Sequence, residues 1–181
     1  MNAARFRQLL GHFCTGVTVI TTVDSDGRPA GFACQAFAAL SLDPPLVMFC
    51  PSRTSATWRV IERSGHFVAN VLAASQRELA RVFGAPASPG ADKFADLTWS
   101  ACASGAPVLP GVLAWVGCKL DAVHDGGDHF IVIGRVTELG DVRPGEPLLF
   151  YRGRYGAAVQ PEGPPEVVDT LLAWPGHYDW N

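Results

Sequence analysis

The stretch from Gly31 to Pro51 does most to limit what this chain can fold into. It holds two apolar runs, Gly31 to Leu40 and Leu46 to Cys50, joined by Ser41-Leu42-Asp43-Pro44-Pro45. Each proline fixes φ and lacks an N–H donor, so a sheet ladder breaks there and the chain turns at the double proline. The first run is built from small residues, Ala33, Cys34, Ala36, Ala38 and Ala39, with Phe37 among them and one amide side chain, Gln35. Such a strip has two uses. It packs as a buried strand leading into a proline corner, or it admits a flat ring, offering an apolar face and backbone N–H and C=O groups at the ring's edge. The stretch alone leaves both open.

The flanking segments read as strands. Cys14 to Val23 places one β-branched residue after another and predicts a single strand. Asp24-Ser25-Asp26-Gly27-Arg28-Pro29 follows, with Asp-Gly supplying the positive φ of a hairpin turn, so the Gly31 run returns antiparallel. His66 to Leu72 is a core strand. Leu113 to Val123 and Phe130 to Leu139 form a second hairpin around His124-Asp125-Gly126-Gly127-Asp128-His129. Leu148 to Tyr151 is a last short strand, with Arg152-Gly153-Arg154-Tyr155-Gly156 as its basic, aromatic turn. Helices are few: residues 3 to 12, where Phe6, Leu9, Leu10 and Phe13 recur at helical spacing; the segment after Ser52; Ser75 to Phe83, with Ser75 and Glu78 in capping-box register; and Pro164 to Ala173. Many strands, short hairpins and few helices predict a mainly β chain, a closed or nearly closed antiparallel barrel with short flanking helices. No G-x-G-x-x-G follows a strand and no βαβ alternation occurs, which argues against a Rossmann nucleotide site. The expected organisation is one domain over residues 1–160, then a C-terminal helix and tail over 161–181. In the tail, Trp174, Tyr178 and Trp180 suggest burial against a second subunit.

Charge narrows the partners. A net charge of −3, with 17% charged residues and no basic run, argues against nucleic acid and against a polybasic membrane anchor. No apolar run approaches the roughly 20 residues that cross a bilayer, and the N-terminus mixes arginines among its apolar residues unlike a secretory signal. A soluble, cytoplasmic protein with a small-molecule ligand is expected. The five cysteines, at 14, 34, 50, 102 and 118, are scattered without a C-x-x-C pair and are read as reduced thiols. Cys118, His124, Asp128 and His129 are metal-ligating residue types, but their spacing matches no ligand pattern, and no metal is expected.

Three segments carry candidate chemistry. Ser52-Arg53-Thr54-Ser55-Ala56-Thr57-Trp58 is hydroxyl-rich ahead of a helix, with Thr54 or Ser52 as its expected cap. It is an ordinary capped helix or, through free N–H groups, hydroxyls and Arg53, a phosphate cradle. Gly84 to Ala91 is a loop, read as a lid, closed by Lys93-Phe94, a cation and an aromatic placed beside a ligand or simply a solvated residue beside a core one. Two acids and two histidines around the glycines of 124–129 make either a solvated turn or a site.

Taken together, Cys14-Thr15-Gly16-Val17-Thr18-Val19-Ile20-Thr21-Thr22, the Gly31 to Pro51 stretch with its Ser-Leu-Asp-Pro-Pro corner, and Gly126-Gly127-Asp128-His129 resemble the flavin-reductase-like family of FMN-binding split barrels, over roughly residues 5–156. Within it the chain is most similar to reductase components of two-component, flavin-dependent aromatic monooxygenases. Gly31 to Gln35 and His124 to His129 look most like the reductases that serve phenolic-secosteroid hydroxylases in steroid degradation. The resemblance implies an antiparallel split β-barrel and a homodimer that uses NADH or NADPH to reduce FMN or FAD and passes reduced flavin to a separate oxygenase. It implies that Cys34, Gln35, Ala36, Phe37 and Ala38 contact the isoalloxazine, mostly through backbone, with Cys50 and Pro51 beside them. Ser52, Ser55 and Thr57 look like the ribityl and phosphate ligands, with Lys93 and Phe94 alongside. His129, set by Gly127 and Asp128, is the expected catalytic residue, and with Tyr155 and Arg152 it would border the nicotinamide. Ala36 departs from the pattern, in which serine is usual. The alternatives are a same-fold FMN enzyme that retains its flavin to act on an organic substrate, and a non-catalytic flavin-binding module.

Overall fold

The β-branched run from Cys14 does not stay in one sheet. In a computed structural model, which describes residues 1–86 and 92–158, it divides into β1 (Thr15–Gly16) and β2 (Thr18–Val23). Val17 between them donates its N–H to the Leu148 carbonyl and accepts from the Leu72 N–H, so its hydrogen bonds go to two other segments and the strand steps from one sheet to the next. Around this step the chain forms α1 (Ala3–Leu10), β3 (Pro29–Cys34), β4 (Phe37–Leu42), β5 (Pro45–Phe49), α2 (Ala56–Ser64) and β6 (His66–Val71). It continues through a 3₁₀ turn (Ala74–Gln76), α3 (Arg77–Gly84), β7 (Ser100–Ala101), β8 (Pro107–Val108), β9 (Ala114–Gly126), β10 (His129–Leu139), β11 (Leu148–Tyr151) and β12 (Arg154–Ala157).

Seven strands make the main antiparallel sheet in the order β3-β2-β6-β9-β10-β5-β4. Its two edges, β3 and β4, are consecutive in sequence and separated only by Gln35 and Ala36, so the sheet curls until its edges meet at that dipeptide. No ladder joins them: this is a split barrel rather than a closed one. The Gly31 to Leu40 run is therefore two strands on opposite edges. The double proline turns the chain as expected, β4 pairing with β5 out to Leu42 and Pro45.

Both expected hairpins form. Asp24 Oδ1 accepts from the N–H groups of Asp26 and Arg28 at the β2–β3 turn, where Gly27 takes φ 76°. The β9–β10 hairpin is longer than read from the sequence. Its strands run on through His124, Asp125 and His129 to leave a two-residue turn, Gly127-Asp128, with Gly127 at φ 82°, the positive φ that a type II′ turn needs at its first position. Tyr155, read as part of a turn, lies in β12 opposite Phe150; the turn itself is Arg152-Gly153, both at positive φ.

The helices correct two capping assignments. Ser55, and neither Thr54 nor Ser52, caps α2, its Oγ accepting from the Trp58 N–H at 3.2 Å. The Ser75–Glu78 box is not made. Gln76 Oε1 accepts from the Ala73 N–H instead, and Glu78 pairs with Arg81. The core divides at the sheet: Phe49, Trp58, Ile61 and Phe67 fill the barrel interior under α2, and Leu72, Ala80, Phe83 and Phe94 pack outside it under α3. Among the described residues no helix is long and apolar enough to cross a membrane. The expected C-terminal helix and its aromatic tail lie outside the described residues, as does most of the expected lid.

Candidate functional site

Where the sheet edges meet, α2 and α3 stand apart and leave a cavity of about 640 Å³, within the size range of small-molecule sites. One wall is the free edge and end of β3: Gly31, Phe32, Ala33, Cys34, Gln35 and Ala36, joined by Cys50. An edge strand pairs on one side only, so its backbone N–H and C=O groups are available to a ligand, and small side chains let a flat ring reach them. The Ala36 carbonyl is already engaged, accepting from the Cys50 N–H at 3.1 Å. The Cys34 thiol is buried at 4% exposure and pushed up to about 11, chiefly by that burial, so it stays protonated and takes part as backbone rather than nucleophile. Burial also raises Cys50.

A second wall is the start of α2, with Ser52, Thr54, Ser55, Ala56 and Thr57. First-turn N–H groups have no acceptor within a helix and carry the positive end of its dipole, which suits an anion. The Thr57 hydroxyl donates to the Gly31 carbonyl at 3.3 Å and ties this wall to the first. Ser52 Oγ accepts from the Thr54 N–H. A third wall is the end of α3, Phe83 to Pro86, with Lys93. The Lys93 ammonium donates to the carbonyls of Phe83 and Ala85 at 3.0 and 2.7 Å, and partial desolvation lowers its pKa.

His129 stands across from these walls. Its Nδ1 is 2.8 Å from Asp128 Oδ1, which leaves Nε2 as the free ring nitrogen, and the same contact holds the Asp128 carboxyl below its ordinary range. The His129 backbone forms a bridge to Ser52, so the hairpin tip is stitched to the loop before α2.

Of the residues expected at the site, Cys34, Gln35, Ala36, Cys50, Ser52, Ser55, Thr57, Lys93 and His129 converge on this cavity. The rest stand elsewhere. Phe37 and Ala38 lie on β4, the opposite edge of the sheet, where they pair with Phe49 and Met48. Pro51 is buried and accepts from the Phe130 N–H through its carbonyl. Phe94 is a core residue, its ring edge-on to Phe83 at 5.0 Å. Gly127 and Asp128 shape the tip behind His129. Arg152 and Tyr155 line a neighbouring hollow, although the Tyr155 hydroxyl comes within 4.0 Å of where a Cβ on Gly84 would sit. The sequence reading missed the α3 end, Phe83 to Pro86, as a wall; only the Gly84 loop hinted at it. Cys118 is buried in the core and His124 is exposed on β9, so these two do not join Asp128 and His129, and among the described residues no group of three His, Cys, Asp or Glu side chains is placed to hold a metal.

The family described as flavin reductase like domain matches residues 10–158. A flavin-dependent monooxygenase reductase subunit, HsaB, from Rhodococcus jostii is 55% identical over 158 residues, covering 87% of this chain and 78% of the relative. The crystal structure of nitrilotriacetate monooxygenase component B from Mycobacterium thermoresistibile is 47% identical with a TM-score of 0.82, covering 93% of this chain and 96% of the other. An NADH:FAD oxidoreductase from Streptomyces globisporus, solved with NAD and FAD fragments, is 31% identical with a TM-score of 0.82, covering 90% of this chain and 96% of that one.

Proposed function

Because the chain belongs to the flavin reductase like domain family, we propose that its cavity brings a flavin and a reduced nicotinamide together and that the reduced flavin then leaves for a separate oxygenase. The observation that carries this reading is the convergence of three different surfaces on one cavity: the free β3 edge, the hydroxyl-rich start of α2, and His129. When both ligands are bound, hydride passes from nicotinamide to flavin, chemistry that belongs to the cofactors. The chain supplies placement. Backbone of Cys34 to Ala36 meets the edge of the flavin ring, and Ser52, Ser55 and Thr57 with the α2 N-terminus hold its phosphate. His129 orients the nicotinamide, its ring fixed by Asp128, and no proton transfer from the protein is required. Holding the reacting atoms about 3–3.5 Å apart makes the step effectively unimolecular.

A flavin that departs each cycle suits micromolar affinity, about −8 kcal/mol, rather than a permanent grip. The protein works as a homodimer, a reading supported by Phe6, Leu9, Leu10 and Phe13, which stay exposed on α1 and the turn after it. All five cysteines are free thiols, which supports a reducing, cytoplasmic home. The oxygenase served takes an aromatic substrate of the phenolic secosteroid kind, as the Gly31 to Gln35 and His124 to His129 segments suggest. The test is nicotinamide oxidation by exhaustively dialysed protein, with FMN, FAD or neither added, using NADH and then NADPH. Turnover only with added flavin is expected. Turnover of an organic substrate by protein that stays yellow, or flavin binding without nicotinamide oxidation, overturns the reading.

A further inference from the structure

Arg53 sits in the loop between β5 and α2, among residues that line the cavity, yet its own side chain turns away from that cavity to the β9–β10 tip. Its Nε–H donates to the Gly127 carbonyl at 2.5 Å, its Nη2 meets Asp125 Oδ1 at 2.6 Å, and its guanidinium lies 4.4 Å from the centroid of the Phe130 ring. Asp125 in turn accepts from the Gly127 N–H at 2.9 Å. One planar cation therefore engages a carbonyl, a carboxylate and an aromatic face around the tip. An exposed ion pair alone contributes little, whereas a guanidinium with fixed donors in several directions adds geometry that a lone pair lacks. Backbone links run beside it, Arg53 N–H to the Asp128 carbonyl at 3.1 Å and Phe130 N–H to the Pro51 carbonyl at 3.0 Å. They bring the two segments together, and the side chain fixes the tip in orientation.

Resting on the reading that His129 orients the nicotinamide, we infer that Arg53 is a positioning residue. It clamps the β9–β10 tip to the loop before α2, so that His129 keeps its place relative to Ser52 and Ser55 across the cavity. Arg53 acts through His129 and does not hold the flavin phosphate. The clamp separates two ligand functions within one loop: the hydroxyls beside Arg53 serve the flavin, and Arg53 serves the nicotinamide side.

The test compares Arg53→Met, Arg53→Lys, His129→Ala and the double variant Arg53→Met/His129→Ala in full-length protein. Nicotinamide kinetics, flavin affinity by fluorescence titration, and hydrogen exchange of the 124–130 backbone are the readouts. Arg53→Met is expected to lower kcat/KM for NADH about 10- to 100-fold, the cost of a displacement near 1 Å, while flavin Kd stays within about twofold. Arg53→Lys keeps the charge without the fork and falls between. In the His129→Ala background Arg53→Met adds nothing, because the group it positions is gone. Exchange at Gly127 to Phe130 rises about tenfold in Arg53→Met, equivalent to about 1.4 kcal/mol of lost local stability. A parallel rise in flavin Kd, unchanged NADH kinetics, losses that add in the double variant, or unchanged exchange each overturns the clamp. Absence of flavin-dependent NADH oxidation by the wild-type protein overturns the reductase reading instead, and hydrogen exchange still decides the clamp by itself.

Discussion

Replacing His129 with alanine separates the two ligands that share the cavity. The side chain is 46% exposed and its hydrogen-bond partner, the Asp128 carboxylate, is 95% exposed, so its loss removes little buried surface and orphans no buried group. Stability is therefore expected to change by no more than about 0.5 kcal/mol. Activity is a different matter. A hydrogen bond between a ring nitrogen and a bound nicotinamide contributes about 0.5–1.5 kcal/mol if neutral and about 1.5–3 if one partner is charged. At 1.4 kcal/mol per decade these span roughly 2- to 150-fold, and a loosened orientation raises the loss further. The expected outcome is a fall of about 10- to 100-fold in kcat/KM for NADH, with flavin Kd altered less than about threefold. Steady-state oxidation of NADH at saturating flavin gives the first quantity and fluorescence titration of the dialysed variant gives the second. Equal losses in both would refute the assignment, because they would place His129 on the flavin. A thermal midpoint lower by many degrees would refute the exposure argument.

Three further outcomes follow from the walls of the cavity and from the β9–β10 tip beside it. A Cβ on Gly31 would lie 2.7 Å from Phe83 Cε1 and 3.2 Å from the Ile20 carbonyl oxygen. Gly31→Ala should then cost about 1–3 kcal/mol in urea unfolding and weaken flavin binding by moving the α3 wall. Ser55→Ala removes the α2 cap and should cost about 1 kcal/mol in the same assay, with weaker flavin binding; an unchanged midpoint would contradict the capping assignment. The carboxyls of Asp125 and Asp128 are both held below 3.8, the first by the Gly127 N–H and then Arg53, the second by His129. Whatever hold they give is complete above 3.8 and is lost only as pH falls through their lower folded values. From about pH 8 to about pH 5 neither group should impose an acid limb on kcat/KM for NADH, and a limb there that Asp125→Asn or Asp128→Asn abolished would contradict it.

How far the sequence reached depends on the range of the interaction. Local chemistry was legible: Pro44-Pro45 and Asp26-Gly27 set their turns through φ and missing donors, and the Gly127 turn followed for the same reason. Interactions between distant segments were not. Val17 leaves its strand because its partners are Leu148 and Leu72, far along the chain. Ser55 takes the cap from Thr54 because Ser52 and Thr54 pair with each other and their loop runs toward the hairpin. Phe94 reads as a ligand neighbour because it adjoins Lys93, yet the lysine reaches back to α3 while the phenyl ring turns inward onto Phe83. Arg53 read as a phosphate partner from its hydroxyl neighbours. Its actual partners, Gly127 and Asp125, lie more than seventy residues away.

The same long-range geometry explains why the site lies where it does. A seven-stranded sheet that curls without closing leaves two unpaired edges, and exposed edges invite pairing with other chains. Here α2 and α3 cover one of them, β3, and Thr57 uses its Gly31 carbonyl. What remains uncovered lies between the two helices. There the edge backbone faces a cavity instead of another strand, and Gln35-Ala36 prevents β4 from sealing it. A chain that needs to bind a flat, hydrogen-bonding ring and then release it is well served by such a gap. The split that denies the barrel its last ladder supplies the backbone groups a ring can use. The start of α2 adds to the gap first-turn N–H groups of a kind that suits an anion, and Lys93 adds a cation bonded to the carbonyls at the end of α3.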